Sequence, residues 1–401
     1  MSSSMLRFAV VLGLLSAIGP FAIDMYLPAL PSIGADFGVG VGAVQASLMA
    51  FFIALGAGQL VYGPLSDMLG RKIPLYAGLV LFMIGSVGCA LAPSIEVLIA
   101  FRFLQGLGAC AGTVVPRAVV RDLHTGPEAA KLMSLLMLVF SVSPILAPLA
   151  GSGVIALAGW RAVFWVVFVA AGLGLALLAL ALPETRPAQQ RRESSLAGAF
   201  AAYGLLLGDR RFLSLVFLGA FGLASFFIFL ANSSFVMIDH YGLTPTQYSL
   251  AFSVNAVSFF GAAQLNGVLG ARFGLMRLMR YAVVGYAVSM VALLALFLAG
   301  SDSLAVLMVL LFIAYGFLGL VVPTSAVLAL DDHGAIAGTA SALMGTLQFG
   351  AGIVMMAVVG LFLDGTAVPM LAGIAFCAVV AVILAVTTPR RLPSARSAAA
   401  R

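Results

Sequence analysis

One carboxylate lies inside an apolar run long enough to cross a bilayer. It is Asp24, in the opening segment MSSSMLRFAVVLGLLSAIGPFAIDMYLPAL; the rest of the 14 acidic residues fall in the stretches between such runs. An ionised side chain at a helix centre costs about 2.5–3.5 kcal/mol on insertion scales. An embedded acid therefore persists only if it is paired, protonated or facing a wet cavity, which makes Asp24 the candidate proton carrier. Two bases are embedded as well, Arg102 and Arg117, both in the fourth apolar run. The first run leads away from Arg7 and the fourth returns from about Val97, so Asp24 and Arg102 sit at matching depths. Arg117 follows about 22 Å further along a helix. It either faces the mouth of a cavity or snorkels with Arg121 to the interface.

A second set of residues suits ligand contact. Phe226 and Asn232 in the seventh run, Asn255 in the eighth, Tyr315 in the tenth and Gln348 in the eleventh, together with Tyr26 in the first, offer aromatic and amide surface. Flat lipophilic ligands with few polar groups fit such walls. Any single phenylalanine is equally at home in packing or against lipid, but a buried amide needs a partner. The stretch GPLSDMLGRK, residues 63–72, sets Gly63, Asp67, Gly70, Arg71 and Lys72 in a tight turn between two runs. Its glycines give backbone freedom, and its two bases either belong to a device with Asp67 or only fix topology. Pro144, Pro148 and Gly151 recur at i, i+4 and i+7 on one face of the fifth run, and each proline removes a backbone hydrogen bond.

These residues need a membrane scaffold to position them. The 401 residues are 63% hydrophobic and 8% charged, which excludes soluble enzymes, nucleic-acid binders and disulfide-stapled secreted domains together. At about 20 apolar residues per span, the chain affords roughly a dozen. The runs place them near 7–30, 43–62, 74–92, 97–118, 129–153, 161–182, 212–233, 246–270, 278–299, 304–330, 337–361 and 368–388. The first is too long for a signal peptide and lacks a cleavage site. With the N-terminus inside, 17 of the 20 basic residues fall on the cytoplasmic side, where both termini are expected. The three cysteines show no metal or redox spacing and the three histidines fall in loops, so no metal and no cofactor are expected.

The polar stretch PETRPAQQRRESS, residues 183–195, divides the chain into two six-span halves. The expected division is 1–183 for the first bundle, 184–211 for a cytoplasmic linker, 212–388 for the second bundle and 389–401 for a tail. A shift of 204 residues lays GPLSDMLG over GVLGARFG, residues 267–274, so the halves are an internal repeat. A two-fold internal repeat of six-span units is a transporter architecture, with the substrate site expected between the halves near the midplane.

At this point the chain resembles the major facilitator superfamily and, within it, the bacterial Bcr/CflA drug:proton antiporters. The resemblance rests on DMYLPALP (24–31), GPLSDMLGRK (63–72), RFLQGLGA (102–109), PILAPLAG (144–151), GWRAVF (159–164) and AGTASALMGTLQF (337–349). It implies an all-α fold of twelve transmembrane helices in two halves related by a pseudo-two-fold axis. It implies a monomer in the bacterial inner membrane that exchanges protons for a lipophilic small-molecule drug, with bicyclomycin and amphenicols the first compounds to test. By the family pattern spans one and four line the central cavity. Asp24 and Arg102 could then pair there and couple a proton to transport, or form a static pair that fixes helix packing. Gly63, Asp67, Gly70, Arg71 and Lys72 would form a conformational latch in which Asp67 meets a helix N-terminus of the other half. Pro144, Pro148 and Gly151 would be the antiporter-type segment that seals the cavity. The chain departs from the family at Ser16, where members often carry a second acid, at Ala147, where the broader pattern has glycine, and at Ala271, the second-half counterpart of Asp67.

Competing chemistries lack their residues. The only lysines, Lys72 and Lys131, do not complete an ATP-binding phosphate loop, and there is no HExxH or GxSxG constellation. The rival that survives is a proton-coupled transporter of a small metabolite, such as an amino acid or sugar, on the same scaffold.

Overall fold

In a computed structural model the structure describes residues 3–123, 126–187, 189, 196–333 and 336–389. His124, Arg191, Arg192 and the basic tail from Arg390 onward lie outside the described residues. The first half consists of α1 Ser3–Asp24, α2 Leu30–Phe37, α3 Val41–Leu69, α4 Lys72–Ala90, α5 Ile95–Leu123, α6 Gly126–Ala158 and α7 Arg161–Ala181. Between the halves runs α8, Leu196–Gly208. The second half follows with α9 Arg210–Ser234, α10 Pro245–Gln264, α11 Asn266–Phe273, α12 Leu275–Leu298, α13 Leu304–Leu330, α14 Ala337–Gly360 and α15 Val368–Thr387. Spans one and eight are each broken in two, as α1–α2 and α10–α11; span seven continues from α9 into a π-helical turn over Phe235–His240, and the other nine are single helices.

Among the described residues, eleven segments are long and apolar enough to cross a membrane. The twelfth, α10, is 20 residues long but carries Gln247, Ser249, Ser253, Asn255, Ser258 and Gln264. Its serines are turned to neighbouring helices: Ser249 and Ser253 donate to the carbonyls of Pro148 and Ile145 on α6, and Ser258 to that of Phe312 on α13. A helix whose polar groups are used in this way need not be apolar to sit in a bilayer.

Two boundaries differ from the sequence expectation. Span one does not run unbroken over 7–30: α1 stops at Asp24, and a 3-10 turn at Leu27–Ala29 precedes α2. Pro28 and Pro31 cannot donate to the helical ladder, so the chain is broken beside the embedded acid. Span eight breaks at Leu265, where Asn266 donates to the carbonyls of Ala263 and Gly319 and accepts from Thr324. Within the expected linker, α8 occupies thirteen residues.

Within the first half α3, α4 and α5 pack together, α4 packs on α7 and α1 on α6; within the second, α9 meets α14 and α15, and α13 meets α10 and α12. The halves join chiefly through α3 on α14 and α6 on α10. A pseudo-two-fold axis that maps span two onto eight and five onto eleven exchanges these two contacts. One end of the bundle carries the arginine-rich turns and is called the basic end below. The other carries Asp36, Asp302 and Asp364 and is called the acidic end.

Candidate functional site

At the acidic end the seam is tied shut. Gln45, near the start of α3, donates through Nε2 to the Asn232 side chain at 2.9 Å and to the Ala231 carbonyl at 3.1 Å, both on α9. Gln45 is only 2% exposed, so losing these partners would strand a buried amide. The α6–α10 serine contacts close the other side of the same end. Two turns further along α3, Phe52 stacks on Phe227 with centroids 4.5 Å apart, and Phe349 leans on both. Thr346 on α14 donates to the Gly56 carbonyl at 2.9 Å just beyond them. The aromatic cluster thus bridges the halves between the Gln45 tie and the basic end.

Asp24 ends α1 and is 5% exposed. Its closest polar partner is the Ser143 hydroxyl of α6, at 3.5 Å, the outer limit of a hydrogen bond. The turn that follows it, Leu27–Ala29, packs on α10, so the carboxylate lies beside the seam between the halves. Gly151, two turns beyond Ser143 along α6, lies against the Met25 backbone: a Cβ there would collide with the Met25 carbonyl oxygen. Pro144 and Pro148 lie within the same helix, and the Pro148 carbonyl is the one that accepts from Ser249.

Arg102 is fully buried on α5, and its closest neighbours are not carboxylates. Nη1 donates to the Gln105 side chain at 2.7 Å and to the Ala22 carbonyl at 3.2 Å, while Nε and Nη2 have no hydrogen-bond partner among the described residues. The guanidinium is sandwiched between the rings of Tyr26 and Phe51, each 4.4 Å from Cζ, with Phe164 at 5.9 Å. A desolvated cation–π contact contributes about 2 kcal/mol. Gln105 passes the network on to Ser86, and Tyr26 bonds Ser47 at 2.6 Å. Arg102 thus bonds the chain two residues before Asp24 yet makes no ion pair with it, and its guanidinium lies among aromatic rings instead. The signal for Gln105 was present in RFLQGLGA; the cage was not, since its three rings come from distant spans.

The basic-end turn is a charge network. Gly70 has φ +91°, a conformation glycine adopts without strain. Arg71, 3% exposed, donates to Asp67 at 2.7 Å and to both oxygens of Asp122, and Ser66 completes the set. Burial lowers the pKa of the Arg71 guanidinium, but Asp122 and Asp67 more than offset this and raise it. Glu184 accepts from the backbone N–H groups of Arg71 and Lys72 and so caps the start of α4 from the linker. Arg186 reaches Asp67 at 3.6 Å. Asp67 thus meets bases, whereas the first turn of α14 stands beside Arg121 instead.

Between the halves at this end opens a cavity of about 800 Å³, lined by α3, α5, α8 and α14 among others. Of the seven residues expected to line a substrate cavity, Arg117 alone borders it. Arg117 faces inward over the Phe140 ring rather than snorkelling to the interface. Tyr26, Asn232, Asn255, Tyr315 and Gln348 are buried by packing, and Phe226 stacks on Phe259 with its edge toward Tyr315. Two of these keep atoms without a hydrogen-bond partner among the described residues, the Asn255 carbonyl oxygen and the Tyr315 hydroxyl.

A family profile described as Major Facilitator Superfamily matches residues 12–356. An uncharacterized MFS-type transporter, YdgK, of Bacillus subtilis is 37% identical over 91% of each chain. A bicyclomycin resistance protein homolog of Haemophilus influenzae is 30% identical over 94% of each, and multidrug resistance protein D of Escherichia coli 31% identical over 86% of each. Among solved structures, a D-xylose-proton symporter superposes with a TM-score of 0.76 at 18% identity, covering 98% of both chains, which speaks for the fold alone.

Proposed function

The chain belongs to the major facilitator superfamily, and from that premise we propose that it exports lipophilic drugs or antibiotics in exchange for protons by alternating access. The names of the relatives in Haemophilus influenzae and Escherichia coli support the cargo class. One observation carries the coupling: the buried carboxylate of the first span, Asp24, lies beside the seam between halves that are tied at one end and open at the other. A group there changes its surroundings whenever the halves rock. The positive-inside rule makes the basic end cytoplasmic, with both termini there and the open cavity facing inward. In that state Asp24 releases its proton and drug enters; in the opposite state drug leaves and Asp24 is reloaded. Arg102 is a positioning residue in this cycle, holding the first-span break through the Ala22 carbonyl. The Asp67, Arg71 and Lys72 turn with Gly63 and Gly70 acts as the latch, and the 184–211 segment couples the 1–183 and 212–388 bundles. The chain works as a monomer in the inner membrane.

The test is the susceptibility of an efflux-deficient bacterium expressing the chain. Chloramphenicol and bicyclomycin should each be tolerated at raised concentration, and Asp24→Asn expressed at the same level should remove that tolerance. An unchanged profile for every lipophilic drug tried, with the protein in the membrane, would refute the export reading.

A further inference from the structure

Among the described residues, four arginines and two aspartates line the cavity at the basic end, and they are not evenly matched. Asp67 and Asp122 are both engaged by Arg71, and Asp67 by Arg186 as well. Arg117 and Arg121 make no ion pair among the described residues. They stand one turn apart on α5, a spacing at which like charges repel. Across the cavity stands the first turn of α14. A Cβ placed on Gly338 would lie 3.5 Å from Arg121 Nη1 and 3.8 Å from Nη2. The residue before α14, Ile336, offers no side-chain acceptor, so no side chain caps that end of the 24-residue helix. That end of a helix carries partial positive charge. Two guanidiniums and a positive helix end therefore line one space, and among the described residues neither guanidinium has a carboxylate partner.

We propose that this space is a binding site for an oxyanion, a carboxylate or a phosphate group, held between Arg117, Arg121 and the first turn of α14. Guanidiniums and helix N-terminal N–H groups are the donors that carboxylates and phosphates need. The cavity is far larger than an inorganic ion, so the anion has room to carry an organic body. Two sources share this chemistry: the headgroup of an acidic phospholipid, and a soluble organic anion entering from the basic end. The proposal rests on the cavity's charge and geometry and does not depend on drug export.

The purified full chain in a neutral detergent tests it with two probes. Phosphatidylglycerol is titrated against phosphatidylcholine by native mass spectrometry, and sodium benzoate is titrated by thermal melting at fixed ionic strength. The wild type should retain phosphatidylglycerol selectively or be stabilised by benzoate. The Arg117→Gln/Arg121→Gln double variant should weaken that response about tenfold or more, the loss expected for charge-assisted hydrogen bonds. Arg117→Lys/Arg121→Lys should keep part of it, and Arg161→Gln at the acidic end all of it. Selective retention of phosphatidylglycerol alone identifies a lipid headgroup; a benzoate response alone identifies a soluble anion. A wild type indifferent to both, which needs no variant to fold, overturns the proposal. A response that the double glutamine variant keeps in full overturns it too.

Discussion

Two glycines on α6, Gly151 and Gly153, should respond to alanine with opposite signs. A Cβ at Gly151 would approach the Met25 Cα at 2.8 Å and carbonyl carbon at 3.0 Å, and would come closer still to the carbonyl oxygen. These are backbone atoms at the break that follows Asp24, so they cannot step aside as a flexible side chain would. Overpacking of this kind costs about 1–3 kcal/mol. At Gly153 a Cβ meets nothing within 4 Å. Alanine there removes the glycine penalty of a helix interior and contributes about 0.5–1 kcal/mol. In a domain the size of one half, each kcal/mol moves the melting midpoint by about 2–4 °C. Fluorescence-detected melting of the purified protein in detergent should therefore place Gly151→Ala several degrees below wild type and Gly153→Ala slightly above it. Gly151→Ala should also impair transport, because it displaces the turn that carries Asp24. Equal destabilisation by the two variants would refute the claim that α6 and the Met25 backbone are in close contact at Gly151.

Three further outcomes follow from the geometry. Gln45→Leu removes two hydrogen bonds across the seam, about 1–3 kcal/mol together, so cysteines placed at the acidic end should react faster with a membrane-impermeant thiol reagent. Asp67→Asn should leave folding and insertion intact but alter the same accessibility, since it discharges the partner of Arg71 and Arg186; unchanged accessibility would remove the latch role. At the acidic end, hydrogen bonds from Tyr241 and then His240 hold the Asp302 carboxyl below its usual range. That tie stabilises the fold above the ordinary carboxylate pKa and is lost as pH falls through the depressed value, so Tyr241→Phe should reduce the fall in melting temperature on acidification.

What the sequence discloses follows the cost of error in a bilayer. Asp24 stands out because any unpaired charge in a span is expensive, and Gly70 because its turn sits in a dense motif of acids and bases. The twofold repeat shows the same way, since both halves must make the same turn. The cage around Arg102 is hidden: Tyr26, Phe51 and Phe164 come from three spans in a chain with 29 phenylalanines, and apolar pattern does not distinguish a ring on a cation from one on lipid. Gln45 is equally silent, because its partners lie 186 and 187 residues away. The break after Asp24 was marked by Pro28 and Pro31, but the run around them is apolar enough to read as continuous. The weak hydropathy of α10 reflects serines turned to carbonyls of neighbouring helices, a use of polar groups visible only once those helices are in place.

Asp24 as the carrier of the coupling proton is tested most directly in proteoliposomes that hold the purified chain and a trapped pH dye. Chloramphenicol added to the side of the basic end should trigger proton release from wild-type protein. Asp24→Asn should bind the drug as well or better and release none. Undiminished release by Asp24→Asn would contradict the account and leave the coupling to groups outside the spans.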